Sequence, residues 1–161
     1  MNNKSETLKE KLKQALSSTA RVISEDFDNV ISKNKDKNSD NFSFFEINNL
    51  NTKNDFIKAR AESDSSALKK KFSNDLIFKK NSPTNSSCKS LYKIAEKVRY
   101  ETLGSKMLKG IEKNLIENYN QMISLKKKDQ IKSKEDVPII EAFELYMLKN
   151  FYNINLDSIA T

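Results

Sequence analysis

Histidine and tryptophan are absent from the 161 residues of this chain, and cysteine occurs once, at Cys88. Without histidine there is no Ser-His-Asp or Cys-His nucleophile system and no His-ligated metal site. A single cysteine excludes an internal disulfide framework and a multi-cysteine zinc site. With two glycines and no Walker A or GxGxxG motif, the chain lacks a phosphate-cradling loop. We therefore expect no catalytic, cofactor-binding or metal-binding residues, and the chain is not expected to be a complete enzyme.

Long hydrophobic runs are also missing. No stretch approaches the roughly 20 apolar residues that a membrane span needs, and the N-terminus has no signal-peptide core. We expect a cytoplasmic protein with no membrane partner. The length suits a single domain of residues 1–161.

Basic residues are unevenly distributed. Residues 61–134 carry 17 basic and 8 acidic groups, a net +9, whereas residues 135–161 carry a net −4. Lys106, Lys109 and Lys113 have the spacing of one helical face and form a candidate basic patch. Such a patch suits a polyanion or an acidic protein surface, although solvated helix faces explain the same charges. Lysine outnumbers arginine 26 to 3 and asparagine numbers 19, a bias typical of an AT-rich coding sequence, which weakens the case for nucleic acid.

Helical periodicity dominates the chain and predicts a mainly α fold, a bundle of about five helices. The predicted helices cover residues 7–23, 55–72, 86–103, 106–124 and a last one opened by Asp136 and Pro138. A small β-hairpin is predicted at about 29–47, a loop at 79–87 and a basic connector at 125–134. The last helix is apolar on most sides, which predicts a central core helix.

Several local features refine this prediction. Thr7 with Glu10 suggests a capping box, and Asp55 or Asn54 suits the start of the second helix. Gly104 is expected to end the third helix in a left-handed conformation, with Ser105 capping the next. Gly110 is expected to allow a close helix approach. The remaining polar and aromatic residues are expected to be structural: Cys88 as a packing residue, Asp64 with Glu62 and Glu96 with Glu101 as surface carboxylates, and Tyr92, Tyr100, Tyr119, Phe143, Tyr146, Phe151 and Tyr152 mostly as core.

Four segments go beyond generic patterning. Residues 59–68 (ARAESDSSAL) resemble the "ARGLADSMAL"-type stretch of the CobT subunit of aerobic cobaltochelatase, and Pro83 is in register with the Pro of its "KLAP". Residues 95–115 are similar to its "EQARVEAIGSRRMAGVAKNL". Residues 138–151 resemble its "APLEDAVALMVRERL" helix, and residues 12–16 its "FKRAL". Matching positions within residues 95–115 are Arg99, Glu101, Gly104, Ser105, Met107, Gly110, Asn114 and Leu115.

The resemblance has limits. The family carries histidines where this chain has Ser73 and Phe78. Nothing here is similar to the family's acidic linker or to its C-terminal von Willebrand A domain with a metal site. The chain therefore resembles the N-terminal domain alone.

The resemblance implies a role in ATP-dependent insertion of cobalt into a corrin ring during bacterial cobalamin biosynthesis. The complex is implied to use ATP, Mg and cobalt, with no cofactor in this chain. The implied partners are a ring-forming AAA+ ATPase subunit and a large tetrapyrrole-binding subunit; a homo-oligomer is left open. The chain would be a non-catalytic scaffold or docking domain, with Arg99, Glu101, Gly104, Ser105 and Asn114 as structural or docking residues. The alternatives are a basic helical nucleic-acid-binding module or a degenerate remnant with another protein-interaction role.

Overall fold

The computed structural model describes residues 2–25, 52–125 and 138–156, and all regular structure in these ranges is helical. The prediction of a mainly α fold is confirmed, but six helices are seen there instead of about five. The predicted hairpin at 29–47 lies outside the described residues, as do residues 126–134 of the predicted basic connector. None of the described helices is both long and apolar enough to cross a membrane. The helices are α1 (Asn2–Ser24), α2 (Lys53–Phe72), α3 (Asp75–Asn81), α4 (Ser86–Met107), α5 (Lys109–Leu125) and α6 (Ile139–Tyr152).

The chain divides into two compact units, Met1–Lys71 and Phe72–Thr161. In the first unit, Leu16 of α1 and Ala59 of α2 form a small buried cluster, and Leu12 packs against it. Small side chains dominate the buried positions of α2. They include Ala61, Ser63 and Ala67.

Both helix starts in the first unit differ from prediction. Helix α1 begins at Asn2, so Thr7 lies inside the helix and does not cap it. The start of α2 is held by Thr52, whose hydroxyl accepts from the backbone N–H of Asp55 at 3.2 Å. The Asp55 carboxylate accepts in return from the Thr52 backbone N–H and hydroxyl, both at 2.9 Å. This reciprocal pair is a capping box with Asp in place of the usual Glu.

In the second unit α4 is the central helix, and α5 and α6 both pack against it. The buried apolar side chains come from all three helices, because each contributes a stripe at helical spacing. They are Val98, Tyr100, Ile111, Leu115, Tyr119, Ile123, Leu148 and Tyr152, together with Ile154 just beyond α6.

Residues 75–81 form the additional helix, α3, so the predicted loop at 79–87 is wrong at both ends and is confined to residues 82–85. Asn74 caps it by accepting from the backbone N–H groups of Leu76 and Ile77 at 3.0 and 3.1 Å. One side chain of this short helix, Phe78, stacks on Tyr92 of α4 with ring centroids 4.9 Å apart. Tertiary stacking and the Asn74 cap thus support a helix too short to show a periodic pattern.

The boundary between α4 and α5 lies later than predicted, at Leu108. Helix α4 continues through Gly104 and Ser105, and neither glycine of the chain has a positive φ, so the predicted left-handed end at Gly104 is wrong. Leu108 instead adopts an extended conformation and its N–H bonds to the Gly104 carbonyl at 2.9 Å. Gly110 has no heavy atom within 4 Å of where a Cβ would stand, so it mediates no close approach.

Helix α6 is not the central core helix that its composition predicted. Only Leu148 and Tyr152 of this helix are buried. Ile139 is 80% exposed, Tyr146 62% and Phe151 52%, so two of the aromatics assigned to the core face outward. The prediction for Cys88 is also wrong, because this side chain is exposed at the start of α4.

Candidate functional site

Arg99 is the centre of a polar cluster on the side of α4 that faces residues 72 and 73. Its guanidinium binds both carboxylate oxygens of Glu96, with Nε to Oε2 at 2.7 Å and Nη2 to Oε1 at 2.8 Å. The same Nη2 donates to the backbone carbonyl of Phe72 at 2.6 Å. Since the last carbonyls of a helix have no partner within the helix, Arg99 satisfies the C-terminal end of α2.

Ser73 completes this cluster by donating its hydroxyl to Glu96 Oε1 at 2.7 Å. The hydrogen bond and charge of Arg99 lower the pKa of the Glu96 carboxyl, and burial opposes that shift only in part. In return, the Glu96 carboxylate raises the pKa of Arg99. The cluster is therefore a fully charged, bidentate pair, the strongest kind of exposed ion pair.

Ser73 and Phe78, which stand where the family that this chain resembles has histidine, both contact α4. Ser73 bonds to Glu96, and Phe78 stacks on Tyr92, one helical turn before Glu96. Both replacements are thus built into packing contacts. In the described part of the chain, no group of three or more Cys, Asp or Glu side chains is placed to hold a metal ion.

Glu101 lies in a second, internal cluster. It is fully buried, and its carboxylate accepts a short hydrogen bond from the Tyr119 hydroxyl of α5. Tyr152 of α6 packs on Tyr119 with ring centroids 5.5 Å apart. The prediction that Glu101 is a surface group is therefore wrong, and the same holds for Asp64, which is 3% exposed.

Burial is the main cause of the high pKa values of both tyrosines in this cluster. The pKa of Tyr119 is raised first by burial and then by the negative charge of Glu101. The pKa of Tyr152 is raised by the same two causes in the same order, while the hydroxyls of Thr102 and Ser105 act in the opposite direction. Lys97 adds a cation 5.4 Å from the centre of the Tyr119 ring. The cluster holds its tyrosines neutral.

The hydroxyls of Thr102 and Ser105 lie near that of Tyr152. All three are buried, and none makes a hydrogen bond of standard geometry to the described residues. The hydroxyls of Thr102 and Ser105 nevertheless lower the pKa of Tyr152, against the larger effect of burial.

The structure separates the predicted site residues into different environments. Glu101 and Ser105 both lie near Tyr152, whereas Arg99 is on the exposed side of α4. Gly104 is buried on α4 and Asn114 on α5. The predicted residues do not converge on one pocket.

The three lysines of the predicted patch lie on either side of the break at Leu108. Lys106 is in the last turn of α4, whereas Lys109 and Lys113 are in the first turns of α5. Lys109 pairs with Glu112 at 3.1 Å. Lys109 and Lys113 also line a shallow recess on α5, together with Glu112 and Glu117. The continuous helical face assumed for these lysines is therefore wrong.

Sequence reasoning missed the partners that give these residues their roles. Ser73 and Tyr119 lie 23 and 18 residues along the chain from the carboxylates that they bind. One signal in the sequence does indicate that Glu101 is buried. Val98 follows Ile94 by four residues and Glu101 follows Val98 by three, so Glu101 lies on the apolar stripe of its helix.

The structure defines a helical protein whose polar clusters tie its own helices together. The chain belongs to the family described as cobalamin biosynthesis protein CobT, which matches residues 6–151. This confirms the resemblance and connects the chain with cobalamin biosynthesis. No curated protein and no solved structure matches it.

Proposed function

We propose that this chain is a non-catalytic scaffold or docking domain of a subunit of an ATP-dependent cobaltochelatase that acts in cobalamin biosynthesis. The observation that carries the proposal is the family match, which extends over residues 6–151. Its partners are then a ring-forming ATPase subunit and a large tetrapyrrole-binding subunit. ATP, Mg and cobalt belong to the assembled complex.

Surface composition supports a docking role. Large apolar side chains are exposed on α3, α6 and the end of α4, among them Leu76, Ile139, Tyr146, Phe151 and Met107. Leu103 and Met107 are both exposed and lie four residues apart on α4, so they are neighbours, and adjacent exposed apolar groups are a common mark of protein interaction sites.

The polar clusters support a scaffold role for the matching residues. Arg99 binds a helix end and Glu101 binds Tyr119, so each connects one element to another. We propose that Arg99, Glu101, Gly104, Ser105 and Asn114 maintain the fold of the domain and act on docking only through it.

The test is binding and turnover with purified full-length components from the same cells. We expect the chain to bind the ring-forming ATPase subunit at near-micromolar concentration or better and to be required for cobalt insertion by the complete complex. The chain alone should hydrolyse no ATP. Failure to bind either partner at high micromolar concentration would overturn the docking role, and ATP hydrolysis by the isolated chain would overturn its non-catalytic character.

A matched pair of variants separates fold from docking. Arg99→Ala should lower the melting temperature and leave binding unchanged below that temperature, whereas Arg60→Ala, at an exposed position on α2, should change neither. If Arg99→Ala abolished binding without lowering the melting temperature, Arg99 would be a direct docking residue.

A further inference from the structure

The break between α4 and α5 presents an apolar surface at a fixed corner. Leu103, Met107 and Leu108 are 38%, 58% and 46% exposed. Leu103 and Met107 are four residues apart on α4, so their side chains are neighbours on one helical face. We call these three side chains and the lysines around them the corner surface.

The corner is held by backbone hydrogen bonds on both sides of its single extended residue. The Leu108 N–H bonds to the Gly104 carbonyl at 2.9 Å, and the Leu108 carbonyl accepts from Ile111 at 3.0 Å and Glu112 at 3.3 Å. Gly104 and Ile111 are themselves buried. The exposed apolar groups are therefore displayed on a supported backbone, which reduces the ordering cost of binding.

Charge around the corner is positive. Residues 103–117 contain Lys106, Lys109 and Lys113 against two carboxylates, Glu112 and Glu117. Glu112 is occupied by Lys109. Lys106 and Lys113 are exposed, and neither has an ion-pair partner among the residues the structure describes. An apolar centre with a net positive rim is complementary to an apolar segment with an acidic rim.

We propose that the corner surface is the docking site for an acidic, amphipathic segment of the ring-forming ATPase subunit. Apolar side chains of that segment would cover Leu103, Met107 and Leu108, and its carboxylates would face Lys106 and Lys113. The arrangement follows the usual anatomy of an interface, with an apolar centre and a polar rim. The proposal rests on the docking role given above and names the surface that performs it.

Charge reversal tests the site directly. Binding of the full-length chain to the purified ring-forming ATPase subunit is measured for wild type, for Lys106→Glu/Lys113→Glu and for Lys89→Glu/Lys93→Glu. The control pair makes the same change of charge at exposed positions near the start of α4. We expect affinity to fall about tenfold or more for the corner variant and less than about twofold for the control, because rim charges act locally at physiological salt.

The apolar centre has its own pair of variants. Met107→Ser removes an exposed side chain from the corner, and Val22→Ser removes a more exposed one from α1. We expect only Met107→Ser to weaken binding. Circular dichroism and the melting temperature must stay at wild-type values for each variant, and Met107→Ala replaces Met107→Ser if the serine variant is unstable.

The outcomes separate this inference from the proposed function. If wild type fails to bind, the docking role itself fails. If wild type binds and the corner variants bind equally well, the docking role stands and the corner surface is wrong. Equal losses in corner and control variants would show a diffuse charge effect and would also overturn the site. If the corner variants lost affinity for a short single-stranded RNA alone, the site would be one for nucleic acid, and the proposal would fail.

Discussion

The hydroxyl of Tyr119 on α5 donates a hydrogen bond to the carboxylate of Glu101 on α4, and both side chains are almost completely shielded from solvent. A buried carboxylate is costly unless hydrogen-bond donors face it. The pair is therefore a specific polar contact within the interface between these two helices, and its removal is measurable.

Tyr119→Phe should destabilise the fold by about 1–3 kcal/mol, because the Glu101 carboxylate loses a donor in a buried site. Tyr152→Phe is the matched control. It removes a phenol hydroxyl that is also buried in this cluster but makes no hydrogen bond of standard geometry to the described residues. It should cost less than about 0.5 kcal/mol. Urea unfolding measures both, and an equal loss in the two variants would contradict the assigned hydrogen bond.

Alkaline pH should weaken the second unit through the same two tyrosines. Their pKa values in the folded state are raised above the ordinary value of 10.0. A raised folded pKa contributes stability that is present below the unfolded value and is lost as pH rises beyond it. The free energy of unfolding should therefore fall above pH 10.0. Ultraviolet difference titration should show Tyr119 and Tyr152 ionising only with unfolding; ionisation of all five tyrosines before unfolding would refute this.

Acid should reduce the effect of removing Arg99. The pKa of Glu96 is lowered in the folded state mainly by Arg99, so its contribution is present above the ordinary value of 4.5 and is lost as pH falls below it. At neutral pH, Arg99→Ala should destabilise by about 0.5–1.5 kcal/mol, because both partners remain partly in contact with water. The difference from wild type should shrink on acidification, and a difference independent of pH would assign the effect to the Phe72 carbonyl alone.

The capping box of α2 predicts a local loss of helix stability. Thr52→Ala and Asp55→Ala should each cost about 1 kcal/mol, because each leaves backbone N–H groups at the helix start without a partner. The double variant should cost less than the sum, since the two side chains bond to each other. Thr84→Ala, in the exposed loop before α4, is the control and should be neutral. Thermal unfolding followed by circular dichroism gives the comparison, and additive losses would contradict a reciprocal box.

Hydrophobic periodicity predicted the long helices, because each of them buries one apolar stripe. It failed where other contacts determine the structure. Helix α3 is too short for a period and is fixed by Asn74 and by the stacking of Phe78 on Tyr92. Gly104 suggested a helix end, yet its φ is not positive and the helix continues through it to Met107. The apolar composition of α6 predicted burial, but composition does not say whether a protein's own core or a partner covers a face.

Only some contacts of the candidate site could be predicted from the sequence, for a related reason. Arg99 and Glu96 have the three-residue spacing of an ion pair, so their contact follows from the helix alone. The contacts of Arg99 with Phe72 and of Glu101 with Tyr119 connect residues 27 and 18 positions apart. Such contacts depend on how helices pack, which a single sequence does not specify.

The single residue between α4 and α5 also bears on the order of folding. Because Leu108 alone separates the two helices, their mutual contacts are close in sequence and need little loop closure. The contacts of α6 with α4 must close a much longer stretch of chain. Local contacts form faster than distant ones, so we expect the α4–α5 corner to assemble before α6 packs against α4.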